Sequence, residues 1–183
     1  MFRRVAGPGI IMRQLEDADA EAIFAAADRN RAHLGEWLPW VARTNSAQDV
    51  RDFIGKARAQ YEENRSPSSG IWTDGELAGC IGCHVVDYEN RNCSIGYWLD
   101  RARQGQGIMT RCCTVLLDYL FGELQVHRVE IRAATGNVRS CAIPERLGFT
   151  REGIAREAQW VGERWLDMVI WSMLEDEWRA RVR

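Results

Sequence analysis

Apolar residues are spaced two ways along this chain. Val50, Phe53, Ile54, Ala57 and Tyr61 recur at helical spacing, with Ser46 and Asp49 placed as a helix start. Ile108, Cys112, Val115, Leu116, Tyr119 and Leu120 repeat that spacing. Asp17 to Arg29 is Ala-rich and helix-prone. Short apolar runs predict strands at Ile10 to Leu15, Ile71 to Thr73, Leu77 to Val86, Ser94 to Leu99 and Val129 to Ala133. Asp74-Gly75 reads as a hairpin turn, and Glu89 to Asn92 as another. Ser66 to Gly70 reads as a loop, and Pro39 ends any helix before it. Val138 to Leu147 is a helix with Pro144 as an irregularity, and Phe149 to Trp160 with Trp165 to Leu174 a final hairpin. Segregated strands and helices in this order predict an α+β fold with a mixed sheet.

A length of 183 residues favours one domain over residues 1–183 and can bury a core without metal or disulfide staples. The net charge of −2 gives no reason to expect nucleic-acid binding. No apolar run is long enough to span a membrane, and Gly7-Pro8-Gly9 replaces a signal core, so a cytoplasmic protein is expected. Cys80 and Cys83 form a CxxC pair without a second pair to complete a zinc site, so the six cysteines are expected as free thiols and no metal is expected.

The chemistry begins at Arg103-Gln104-Gly105-Gln106-Gly107-Ile108, between a strand and a helix. Glycines let a backbone turn tightly and expose its amides, and a helix start adds positive potential. Such a site suits a diphosphate, although a turn without a ligand is an equal reading of the loop alone. A dinucleotide fingerprint needs a small residue where Thr110 stands, and a Walker loop needs a Lys that is missing.

With the loop, four other segments carry a resemblance: Leu34-Gly35-Glu36-Trp37-Leu38-Pro39-Trp40, Ile95-Gly96-Tyr97-Trp98-Leu99, Asn137-Val138-Arg139-Ser140 and Glu145-Arg146-Leu147-Gly148-Phe149. In this order they resemble the GNAT superfamily of acetyl-CoA-dependent N-acetyltransferases, in its ribosomal-protein (RimJ/RimL-type) branch. The resemblance implies a single GNAT-like domain: a mixed, mostly antiparallel twisted sheet whose central strands splay apart, flanked by helices. It implies that Tyr97, Trp98 and Leu99 pair with the pantetheine arm of acetyl-CoA. Arg103, Gln104, Gly105, Gln106, Gly107 and Ile108 would hold the pyrophosphate, and Asn137 and Ser140 would also meet the cofactor. Ala102 departs from the Gln or Arg common three residues before the first glycine.

Acetyl transfer needs a base for the amine, donors for the oxyanion and a partner for the leaving thiolate. A main-chain N–H of Trp98 or Leu99 is the oxyanion candidate. Ser140 matches the branch's thiolate partner, although a Ser at a helix start can equally cap amides. The base is open. Gln159 stands where the branch has Glu; Glu157, two residues earlier, would share its face on a regular strand, and His84 is the other candidate, histidine being a common proton acceptor in catalysis. An ordered water is a further candidate. Trp37 and Trp40 are candidates for the acceptor wall, and Trp165, Trp171 and Trp178 for the core or a subunit interface. The acceptor is expected to be the N-terminal α-amine of a protein such as a ribosomal protein. A small amine (a polyamine, amino acid or antibiotic) is the alternative, and a non-catalytic CoA-binding module a third. The branch also makes a homodimer an expectation.

Overall fold

The computed structural model describes residues 2–84 and 86–181. Among the described residues there are eight strands: β1 (Arg3–Gly7), β2 (Ile10–Gln14), β3 (Ser68–Thr73), β4 (Glu76–Cys83), β5 (Asn92–Leu99), β6 (Arg128–Ala134), β7 (Thr150–Val161) and β8 (Arg164–Leu174). The helices are α1 (Ala20–Arg29), α2 (Arg31–Gly35), α3 (Ala47–Asn64), α4 (Ile108–Gly122), α5 (Val138–Leu147) and α6 (Glu175–Arg181). One open sheet holds all the strands in the order β1-β2-β3-β4-β5-β6-β8-β7. Every pairing is antiparallel except β5 with β6.

The alternation of side chains along the strands divides the core into two layers. On one face Leu116, Leu117, Leu120 and Phe121 of α4 pack on Ile71, Ile81, Ile95, Ile131 and Met173. On the other, Ile23 of α1 and Ile54 of α3 pack on Leu15 and Leu77, with Trp72 and Trp98 at the margin. Burying each such side chain contributes about 1.5–3 kcal/mol. Ser46 and Asp49 start α3 through a reciprocal cap: Ser46 Oγ accepts from Asp49 N, and Asp49 accepts from Ser46 N. Asp74 and Gly75 take φ of 53° and 87°, the two left-handed residues of a tight hairpin turn.

The sequence pattern misses some of this. The hairpin partner β1 and the closing helix α6 were not expected. The segment read as a loop from Ser66 already pairs as β3 from Ser68. The strand expected through Val86 ends at Cys83, and Val85 lies outside the described residues. Trp171 and Trp178 are buried, whereas Trp165 is 56% exposed and meets Trp160 edge-on. All six cysteines are free, and burial pushes the Cys80 and Cys112 thiols up to about 12. Among the described residues no cluster could hold a metal, and no helix is long and apolar enough to cross a membrane.

Across β6, β8 and β7, Arg128 grips Glu152 with two donors at 2.6 and 2.7 Å, and Ser172 Oγ donates to the same carboxylate at 2.8 Å. The Arg128 bond, then that of Ser172, holds the Glu152 carboxyl down at about 2, from an ordinary 4.5. A depressed carboxylate stabilises the fold fully above its ordinary pKa and loses that contribution as pH falls towards its folded value. Glu152→Gln is therefore expected to lower the urea midpoint at pH 6, by an amount solvent screening keeps small. The difference should close as pH approaches about 2. A difference independent of pH would contradict this.

Candidate active site

The parallel junction is the feature that opens the sheet. β5 and β6 pair from Asn92↔Arg128 to Ile95↔Ile131 and then separate. Beyond that point β5 stays bound to β4 through Leu99, and β6 stays bound to β8 through Ala134. Antiparallel pairing alternates the direction of main-chain groups. His84 N donates to Ser94 O and Asp100 N to Ala78 O, so the even-numbered residues of β5 face β4. The main-chain groups of Tyr97 and Leu99 therefore face the opening, while those of Trp98 face β4. Trp98 is thus not the donor that sequence reasoning offered for the opening. Its side chain instead lies 6.0 Å from the Trp40 ring, on the face covered by α1 and α3.

A cleft of about 1510 Å³ runs through this opening and reaches both faces of the sheet. At one mouth lies the glycine loop. Asp100 starts it by accepting from Ala102 N at 2.9 Å, and Arg29 and Asn30 at the end of α1 hold Asp100 and Arg101 N at 2.7 and 3.0 Å. Gly105 and Gly107 follow with φ of 77° and 72°, a region costly to other residues, and a Cβ built on either meets nothing within 4 Å. Gly107 precedes α4 without a side-chain cap, so the first amides of the helix point to the mouth. Arg111, Arg139 and Arg146 line the cleft nearby, with Arg146 held on Thr110 Oγ1 at 2.9 Å. An open backbone cradle, a helix start and several guanidinium groups fit a polyanionic cofactor.

Two residues that sequence reasoning did not single out tie the mouth together. Arg139 donates to Gln104 Oε1 at 2.7 Å, and Gln104 Nε2 lies 2.9 Å from His33 Nε2. Arg139 stands within the Asn137 to Ser140 segment, a usable signal. His33 has none, because only the fold brings α2 to the loop.

Within the cleft, Asn137 Oδ1 accepts from Ser140 N at 3.2 Å, so Asn137 and not Ser140 is the cap of α5. Tyr97, Trp98, Leu99, Gln104, Gly105, Gly107, Ile108, Asn137 and Ser140 all line it. Arg103 and Gln106 do not: Arg103 pairs with Glu76 at 2.6 Å, and the Gln106 side chain turns back to Ala102 O. Trp37, Trp40 and His84 line the other half with Phe53, Met168 and Gln159. His84 covers Gly96, whose Cβ would lie 3.3 Å from its Nε2.

Glu157 is the correction among the base candidates. β7 bulges between Ala155 and Gln159, leaving Glu157 at φ 49° with its N–H donating to Asp167. The alternation that would align it with Gln159 is broken, and it is absent from the cleft wall. Gln159 itself is a clamp. Its amide donates to Trp37 O at 2.7 Å, while Arg164 donates to Glu36 O at 3.0 Å and its guanidinium stands 5.8 Å from the Trp37 ring. The hairpin thus fastens the Trp37 segment over the cleft.

A sheet opened at its one parallel junction, with an uncapped glycine-turned helix start at the mouth, defines a class of acyl-transfer enzymes. Residues 10–150 match the family profile described as Acetyltransferase (GNAT) domain, and the chain belongs to that family: it is an acetyltransferase. It is 39% identical over 181 residues to a putative ribosomal N-acetyltransferase, YdaF, of Bacillus subtilis, covering 98% of this chain and 99% of that one. A solved structure titled as a probable acetyltransferase superposes with a TM-score of 0.92 at 39% identity, over 97% of this chain and 99% of that one. Mycobacterium smegmatis RimJ, solved in complex with CoA-disulfide, gives 0.87 at 28% identity, over 96% and 86%.

The clamp carries a test. A carboxylate at position 159 cannot donate to the Trp37 carbonyl and would repel it. Gln159→Glu is therefore expected to lower unfolding stability by about 1 kcal/mol. Equal or higher stability in urea titration would contradict the clamp.

Proposed function

We propose that the chain moves an acetyl group from acetyl-CoA to the N-terminal α-amine of a protein, with ribosomal proteins, the class named for its relatives, as the acceptors. One observation carries the choice of acceptor. Among the described residues, the only carboxylate lining the cleft is Asp49, which already accepts from Asn45 N, Ser46 N and Ser46 Oγ in the cap of α3. The other charged residues of the wall, Arg111, Arg132, Arg139 and Arg146, are cations, and the rest is apolar, polar or aromatic. A polyamine needs several counter-charges, whereas a chain terminus presents one amine on a neutral backbone. Action on ribosomal proteins would be cytoplasmic.

The residues divide the work. The amides of Gly105 to Met109 and the start of α4 would take the diphosphate, with Arg139 and Arg146 adding charge. Tyr97 and Leu99 would pair with the pantetheine amides as a neighbouring strand would, and the Leu99 N–H would steady the developing oxyanion. Ser140 Oγ would donate to the departing sulfur. Trp37 and Trp40 would wall the acceptor chain. His84 lines the cleft against Gly96, and we assign it the amine's proton, taken directly or through one water.

A thiol-release assay with acetyl-CoA tests the acceptor: peptides beginning with Ser or Ala should turn over and spermidine should not. Turnover of spermidine alone would overturn the reading. His84→Gln should cost on the order of 100-fold in kcat and flatten the rise of rate with pH. An unaltered pH profile would leave the proton to water alone.

A further inference from the structure

Ser140 lies in the first turn of α5. In an unbroken helix its carbonyl would accept the N–H four residues on. That residue is Pro144, which has no N–H and whose ring crowds the same carbonyl. The missing donor comes from outside the helix. Tyr97 Oη donates to Ser140 O at 3.2 Å, and the same phenol oxygen accepts from Ser140 Oγ at 3.5 Å. Tyr97 belongs to β5 and Ser140 to the helix after β6, so the contact spans the two strands that part beyond Ile95 and Ile131. With Asn137 holding its N–H, both main-chain groups of Ser140 are fixed by side chains from outside its own turn or from its cap. The hydroxyl is held only by the long bond to Tyr97 Oη, which it can exchange for another acceptor.

We propose that Tyr97 is a positioning residue for acetyl transfer: its O–H replaces the amide that Pro144 lacks and so fixes Ser140 Oγ at the opening. This rests on Ser140 acting as the donor to the departing sulfur. Burial pushes the Tyr97 phenol well above the ordinary tyrosine range, so it keeps the proton this bond needs. Pro144 and Tyr97 lie far apart in sequence but serve one carbonyl.

The test compares Tyr97→Phe, Ser140→Ala and the double variant in steady-state kinetics, with thermal melting as a control for folding. Ser140→Ala should lower kcat on the order of 100-fold, and Tyr97→Phe about tenfold, with the KM for acetyl-CoA unchanged. The double variant should be no slower than Ser140→Ala alone, because Tyr97 acts through Ser140. If Ser140→Ala slows the reaction but Tyr97→Phe does not, or if Tyr97→Phe slows the Ser140→Ala enzyme further, the role given to Tyr97 is overturned while that of Ser140 stands. Full activity of Ser140→Ala would overturn both. Should Tyr97→Phe fail to fold, the Tyr97→Phe/Pro144→Ala enzyme decides: Pro144→Ala returns a helical N–H to the Ser140 carbonyl, so this double variant should keep the kcat of Pro144→Ala alone. A loss of about tenfold in it relative to Pro144→Ala would overturn the proposal.

Discussion

The structure depends on two strands that stop pairing. β5 and β6 form the one parallel junction of the sheet, and after Ile95 and Ile131 each follows its outer neighbour instead. Parallel pairs are slightly weaker per residue than antiparallel ones, so this is where a sheet parts at least cost. The parting leaves strand-edge groups of Tyr97 and Leu99 facing an opening inside a domain, where a buried edge would otherwise be a liability. An extended chain with amides of its own satisfies that edge.

Everything else at the site closes around that opening. The end of α1 fixes where the glycine loop begins, and the missing side chains of Gly105 and Gly107 leave its amides bare. The bulged β7 reaches back through Gln159 to hold Trp37, and Gly136 leaves room for that indole, its Cβ position being 3.3 Å from the ring. Arg111, Arg139 and Arg146 gather on the loop side, and Trp37, Trp40 and Phe53 add aromatic surface away from it. The two halves suit a polyanionic donor and a weakly charged acceptor.

Much of this was legible in the chain itself. Helical spacing located α3 and α4, Asp74-Gly75 located a hairpin, and the glycine loop with its neighbouring segments pointed to the family. β1 was not legible, because Arg3-Arg4-Val5-Ala6-Gly7 has no apolar alternation and is a strand only through pairing with β2. The position of Glu157 was misjudged because period-two reasoning assumes a regular strand, and nothing in Arg156-Glu157-Ala158 announces a bulge. The orientation of Trp98 was likewise hidden: which main-chain groups face a gap is set by the β4 register, not by composition. Pro144 appeared only as an irregularity, since its consequence for Ser140 requires Tyr97 on a distant strand.

The claim that matters most is that the opening between β5 and β6 receives the acetyl-CoA arm. Amide hydrogen exchange with and without saturating acetyl-CoA reads it directly. Exchange should slow at Tyr97, Leu99 and Gly105 to Met109 while the paired segment from Asn92 to Ile95 is little affected. Saturable binding that leaves Tyr97 and Leu99 exchanging at their free rates would contradict it.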